Sequence, residues 1–267
     1  MGKYSGKILL SDMDGTLLDS DSCVSKRNRM AIEGFMEEGG KFGIATGRNL
    51  DNAERFLKGL KLNGCCILAN GSLLYDCGSG SYLEERGLNR EAVEKFLKRC
   101  LREQPGINIQ VYTKNMGFYV SSRQYADPEV VRDHIPVEFA DMEDIRDKTW
   151  LKILFSAKPE EIDWLITQTA YLEAENCVSR VRSADKYYEL LPAGSSKGYM
   201  LGQLKKYISD GSVIYAVGDY YNDKEMLQCA DVGIAVKNAP QEVINCADRV
   251  CADCDHDAIA DVIENIL

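Results

Sequence analysis

No apolar run in the 267-residue chain approaches the roughly 18–20 residues of a membrane-spanning helix, which excludes that class at once. The first residues, Met1–Gly2–Lys3–Tyr4–Ser5–Gly6, lack the apolar segment of a secretory signal, so a cytoplasmic protein is expected. Positive charge is also short. Lys and Arg number 32 against 42 Asp and Glu, a net charge of −10, which argues against binding a nucleic-acid backbone. A phosphorylated ligand would have to be attracted locally, by a metal and a few placed cations. There is no fixed-period repeat and no low-complexity tract. The ten cysteines lack the secretory context of a disulfide framework and read as reduced thiols. Cys246, Cys251, Cys254 and His256 gather near the C-terminus, and Cys251-x-x-Cys254 has a metal-ligand spacing. The second Cys-x-x-Cys pair of a zinc site is missing, although Cys65–Cys66 could lie near in space, so ordinary thiols are expected.

What is present is an ordinary soluble composition, 45% hydrophobic and 28% charged, in a chain long enough for one large domain or two. Its organising stretch is Lys7–Leu18. The apolar run Ile8–Leu10 has the length of a buried strand, and Gly15 breaks it. Asp12 and Asp14 therefore fall at the strand's carboxyl end, where open α/β sheets bind ligands. Residues i and i+2 of a strand point to one side, so the two carboxylates are expected to share one small space. Like charges that close need a cation, a shared proton or both. Mg²⁺ takes oxygen ligands and brings phosphate with it, so phosphoryl chemistry is the first hypothesis.

A helix from Lys26 to Glu38, capped by Ser25, precedes a second strand, Lys41–Ala45, which ends in Thr46–Gly47–Arg48. A hydroxyl and a glycine thus stand at a strand-to-helix switch, where backbone N–H groups meet anions. The next helix is expected over Asn49–Leu62 and a third strand over Cys66–Ala69, giving successive βα units and a parallel sheet. From about Asp76 the pattern changes to hairpins and helices. Ile107–Tyr112 with Gly117–Ser121, and Cys177–Ser183 with Lys186–Leu191, read as antiparallel pairs. A helical piece is expected around Pro128–His134. The α/β rhythm returns with Gly194–Ser195–Ser196–Lys197–Gly198 opening a helix over Tyr199–Tyr207, and with Ser212–Val217 as a strand. Residues 1–75 and 191–267 are thus read as one discontinuous domain and 76–190 as an inserted α+β domain.

The strand Val213–Val217 leads into Gly218–Asp219–Tyr220–Tyr221–Asn222–Asp223 and repeats the logic of the first. If the strands are parallel neighbours, Asp12, Asp14, Thr46, Lys197, Asp219 and Asp223 converge. The sequence resembles the haloacid-dehalogenase superfamily phosphatases of the Cof type. The resemblance rests on Asp12-Met-Asp14-Gly-Thr-Leu-Leu, Ala45-Thr46-Gly47-Arg48, Leu190-Leu191-Pro192 with Ser196-Lys197-Gly198, and Gly218-Asp219-Tyr-Tyr-Asn222-Asp223. The four stand in order and span essentially the whole chain.

The resemblance implies an α/β fold, a Rossmann-like parallel-sheet core with an inserted α+β cap of the C2B type that closes over the site. It implies Asp12 as nucleophile, forming an aspartyl-phosphate, and Asp14 as general acid and then base. Mg²⁺ would be held by Asp12, the Asp14 carbonyl and Asp219, with Asp223 in support. Thr46, Gly47, Lys197 and Asn222 would bind phosphate, and Arg48 is a candidate contact to substrate or cap. Tyr112, Tyr119, Arg182, Lys186 and Tyr187 are the polar and aromatic groups on cap strands. The implied partner is a small phosphorylated metabolite (a sugar phosphate, nucleotide or phosphorylated cofactor), with neither nucleic acid nor membrane, for a monomer or small homo-oligomer. Two other classes stay open: a sugar phosphomutase or phosphotransferase using the same nucleophile, and a phosphometabolite-binding regulator without turnover.

Overall fold

The structure, a computed structural model, describes residues 2–121, 127, 130–131 and 135–267. The chain forms two compact units, one of residues 1–85 and 196–267, the other of 86–195.

In chain order the first unit holds β1 (Lys7–Ser11), α1 (Lys26–Glu37), β2 (Lys41–Ile44), α2 (Leu50–Leu57), β3 (Cys65–Leu68), β4 (Leu73–Asp76) and β5 (Ser81–Glu85). Ser25 caps α1 by accepting the N–H of Asn28 at 3.0 Å. Helix α2 stops earlier than expected because Lys58 and Gly59 take left-handed φ values of 46° and 84°.

The second unit contains α3 (Arg90–Glu103), β6 (Asn108–Tyr112), β7 (Gly117–Tyr119), β8 (Val137–Phe139), β9 (Lys152–Ser156), α4 (Pro159–Ala174), β10 (Val178–Ala184) and β11 (Tyr187–Pro192). Its sheet runs β10-β11-β9-β6-β7-β8. Both expected hairpins are present, β6 with β7 and β10 with β11. Alternation sorts the strands by face. Ile109, Val111, Ile153, Phe155, Tyr188 and Leu190 join one apolar core with residues of α3 and α4. The intervening positions hold Asn108, Gln110, Tyr112, Lys152 and Glu189. The helix expected around Pro128–His134 lies outside the described residues, apart from Val130 and Val131.

The chain then completes the first unit with α5 (Lys197–Leu204), β12 (Val213–Gly218), α6 (Lys224–Cys229), β13 (Val232–Val236), α7 (Gln241–Ile244), β14 (Arg249–Cys251) and α8 (Ala258–Asp261). Its main sheet has the order β14-β13-β12-β1-β2, with every pair parallel. Ile8, Leu9 and Leu10 are buried, as a strand covered on both faces requires. From β1 the chain moves to β2 on one side, and β12, β13 and β14 build outward on the other. That reversal opens a crevice at the carboxyl ends of β1 and β12.

Two boundaries differ from the sequence reading. Strand β3 is not a further member of the parallel sheet. It starts an antiparallel sheet, β3-β4-β5, and meets β2's end through a lone parallel bridge between Ala45 and Ile67. The Asn70–Gly71 turn returns the chain as β4 instead of launching a crossover helix. Strand β5, read from sequence as part of the insert, hydrogen-bonds to β4 and so belongs to the first unit. Among the described residues no helix is long and apolar enough to cross a membrane.

Candidate active site

Strands β1 and β12 pair in register, Ser11 opposite Val217, so the residues that follow them emerge side by side. Asp12 donates its backbone N–H to the carbonyl of Val217 at 2.9 Å, which fixes it at the crevice. Lys197, the first residue of α5, reaches the same point. Its Nζ donates to Asp12 Oδ1 at 2.6 Å and to Asp223 Oδ1 at 2.7 Å. The ammonium is 1% exposed and Asp223 is wholly buried. Ser196 caps α5 by accepting the Tyr199 N–H at 2.9 Å, which locks the register that aims Lys197 inward.

Asp219 and Asp223 meet through a short helical turn, Tyr221–Asp223. Asp223 Oδ2 accepts the backbone N–H groups of Asp219 and Tyr220, each at 3.1 Å. With Oδ1 on Lys197, this carboxylate is committed on both oxygens. Asp219 Oδ1 accepts from the Thr16 hydroxyl at 3.0 Å. Gly15 allows that approach: its φ is +81°, and a Cβ there would sit 2.7 Å from Asp219 Oδ2.

Carboxylate oxygens of Asp12, Asp219 and Asp223 lie within 4.8 Å of one another. Three carboxylates face one ammonium, which leaves surplus negative charge in the cluster. Burial pushes the Asp12 carboxyl well above its usual range; Lys197 opposes that rise while Asp223, Asp219 and Asp14 add to it. Asp219 is pushed up to about 7, first by burial and then by Asp223. Burial alone would discharge Lys197, but Asp12 and Asp223 outweigh it and hold the ammonium charged. A compact set of hard oxygen donors with uncompensated negative charge fits a small divalent cation.

Asp14 lies apart. The strand ends at Ser11, so the two-residue period no longer applies, and the Asp14 carboxylate does not share the buried space of Asp12. Its side chain is 53% exposed. Arg48 clasps it with both arms, Nε to Oδ2 at 2.9 Å and Nη2 to Oδ1 at 2.7 Å, and the guanidinium lies 4.0 Å from the Phe56 ring centroid. Thr46 is held at the sheet edge by its N–H to Ile67 O at 2.9 Å, and its hydroxyl oxygen accepts the Arg48 N–H at 3.2 Å. Asn222 Nδ2 donates to Asn70 Oδ1 at 3.1 Å. Asn70 in turn donates its N–H to Thr46 O at 3.0 Å, so the fourth motif is tied to the second through Asn70.

A family model for haloacid dehalogenase-like hydrolases matches residues 9–263. The chain belongs to that family. This haloacid dehalogenase-like hydrolase is 26% identical over 260 residues to the 5-amino-6-(5-phospho-D-ribitylamino)uracil phosphatase YcsE of Bacillus subtilis, covering 97% of this chain and 95% of the relative. A solved haloacid dehalogenase-like hydrolase from Bacteroides thetaiotaomicron superposes with a TM-score of 0.83 at 26% identity, over 99% of this chain and 100% of that one. The fold is shared with the HAD subclass IIB sugar phosphatase BT4131, at TM-score 0.80 and 20% identity over 97% and 98% of the two chains. The Cof-type recognition drawn from the four motifs therefore stands.

Within the second unit of the hydrolase, the noted aromatics belong to a polar network. Tyr112 donates to Gln110 Oε1 at 2.7 Å, and Tyr187 donates to Asp127 Oδ1 at 3.1 Å. The Tyr119 hydroxyl accepts the Asp127 N–H at 3.3 Å, while Arg182 bonds the Asp185 carbonyl at 3.1 Å and Lys186 lies 5.2 Å from the Tyr187 ring centroid. Sequence reading missed the centre of the network, a buried ion pair from Lys152 Nζ to Glu189 Oε2 at 3.0 Å. Its only signal was a single charge within each of two otherwise apolar strand runs. The C-terminal thiols turn to separate carbonyls, Cys246 to Glu242 and Cys251 to Ala252, and His256 pairs with Asp253.

Proposed function

We propose that this chain is a Mg²⁺-dependent phosphatase that hydrolyses small phosphorylated metabolites through an aspartyl-phosphate on Asp12. The observation that carries this reading is the buried ammonium of Lys197 gripping Asp12 and Asp223 at 2.6 and 2.7 Å, with Asp219 in the same cluster. A nucleophilic carboxylate and a phosphate repel each other, and a fixed cation between strand ends reduces that cost where it arises. Asp12 attacks phosphorus, forming an acyl-phosphate bond as the ester oxygen departs. Asp14, outside the buried cluster, protonates the departing oxygen and later takes a proton from the hydrolytic water. Arg48 orients its carboxylate. The Thr46 hydroxyl, the backbone at Gly47 and Lys197 take the phosphoryl oxygens, and Asn222 braces them through Asn70.

Asp12 and Asp219, with the main-chain carbonyl of Asp14, would hold Mg²⁺, and Asp223 would support them from behind. The bound ion supplies charge neutralisation and polarises the phosphoryl group. A ribitylaminouracil phosphate phosphatase among the relatives supports a phosphorylated cofactor precursor, sugar or nucleotide as substrate, and the cytoplasm is the compartment proposed. The test is phosphate release from a panel of phosphomonoesters, with Mg²⁺ and with chelator, for wild type and Asp12→Asn. Release that requires both Mg²⁺ and Asp12 is expected. An isomeric ester with little free phosphate would replace this reading with a mutase, and a folded, Mg²⁺-binding protein inert toward every ester would overturn it.

A further inference from the structure

Two thiols outside the acidic cluster stand in an arrangement the phosphatase chemistry does not use. Cys66 lies on β3, fully buried, and Cys77 follows the last residue of β4, half-buried. Their sulfurs are 3.4 Å apart, close enough for one S–H to lie between them. Register explains the meeting. Cys66 is paired with Tyr75, and the Cys77 N–H extends the ladder to the Gly64 carbonyl at 3.2 Å. Cys66 and Cys77 are therefore diagonal neighbours on one face of the β3–β4 pair. Cys65, one residue earlier, points to the opposite face, where its sulfur meets Asp76.

We infer that Cys66 and Cys77 form a reversible dithiol–disulfide pair, a modification site that takes low-molecular-weight disulfides as co-reactant. Closing the bond needs the sulfurs to approach by roughly 1.4 Å. Cys77 has the room to supply that movement, since it opens the turn to β5 that carries Gly78 and Gly80. The two thiols are also unequal. The hydrogen bond the two sulfurs share holds the Cys77 thiol below its ordinary range, whereas that same hydrogen bond and burial raise Cys66. Burial, aided by Asp76, pushes Cys65 up to about 12 and keeps it a thiol.

The exchange balances in two steps. The Cys77 thiolate attacks one sulfur of a disulfide RSSR, the RS–SR bond breaks, and RS⁻ leaves behind a Cys77–S–SR mixed disulfide. Cys66 then gives up its proton and attacks the Cys77 sulfur, forming the Cys66–Cys77 bond and expelling the second RS⁻. Two protein thiols are oxidised, RSSR is reduced to two thiols, and the cysteine protons pass to them. Cys66 sits one residue before Ile67, whose carbonyl holds the N–H of Thr46.

The whole protein is equilibrated in buffers of graded reduced and oxidised glutathione, quenched in acid, alkylated in denaturant and mapped by mass spectrometry. Peptides carrying Cys66 and Cys77 are expected to become linked to each other as the buffer grows oxidising, and dithiothreitol should return both to the alkylated form. In Cys66→Ser, Cys77 should stop at the glutathione mixed disulfide. The inference fails if both cysteines stay alkylated at the most oxidising ratio, if either links to another cysteine, or if Cys77 of the variant takes up no glutathione.

Discussion

Lys197 neutralises two buried carboxylates at once, and its loss should be felt before any substrate is added. Lys197→Met leaves Asp12 and Asp223 facing Asp219 with no ammonium, so urea unfolding in chelator should show a loss of about 3–5 kcal/mol. Asp12→Asn acts in the other sense. It keeps the shape but removes a carboxylate whose charged form burial disfavours. Turnover should fall by at least about 10³-fold while the melting temperature holds or rises. These residues were legible because each stands beside a glycine, a hydroxyl or a helix start at the end of an apolar run. Thr16, Asn70 and the Arg48–Asp14 clasp were not legible as contacts. Their partners lie 203, 152 and 34 residues away in sequence, in the first and last cases beyond the ends of paired strands (β1 with β12, β1 with β2) whose pairing no local pattern reveals.

Strand β3 shows why an element can be recognised and still be misplaced. Its apolar run Cys66–Leu68 announces a buried strand, but nothing within it says whether the next turn launches a helix or a hairpin. The decision is made by backbone geometry at Ala69, Asn70 and Gly71, all with positive φ. Gly71 has φ +92°, and a Cβ there would lie 2.0 Å from the Ser196 carbonyl, on the residue that caps α5. Gly71→Ala should therefore cost more than about 1 kcal/mol in chemical denaturation and weaken phosphate release by shifting Lys197. In the second unit, Lys152→Met removes the ammonium from buried Glu189 and should destabilise by about 3–5 kcal/mol. The double change Lys152→Met with Glu189→Leu should recover most of that loss, as a thermal-melt double-mutant cycle would reveal. The hairpins of that unit were easy to read from alternation, whereas a diagonal ion pair between strands far apart in sequence was not.

Across the whole molecule, the acidic cluster is built entirely from residues 1–85 and 196–267. Mg²⁺ should raise stability by about 2.7 kcal/mol at a hundredfold excess over its dissociation constant. Hydrogen exchange should show the added protection in peptides holding Asp12, Lys197 and Asp219, and Asp219→Asn should abolish it. The same division has a consequence for how the chain is made. β1 pairs with β12, Lys7 opposite Val213, but the ribosome must deliver residues 86–195 between them. At about 5–20 residues per second, the N-terminal strand waits on the order of ten seconds or more for its neighbour. The intervening unit is contiguous and can finish first. Nascent chains arrested after Ser195 but before Val213 should thus resist protease in 86–195 and be cut around Ile8–Leu10. During that interval the exposed apolar edge of β1 is the part of the newborn polypeptide that chaperones must shield.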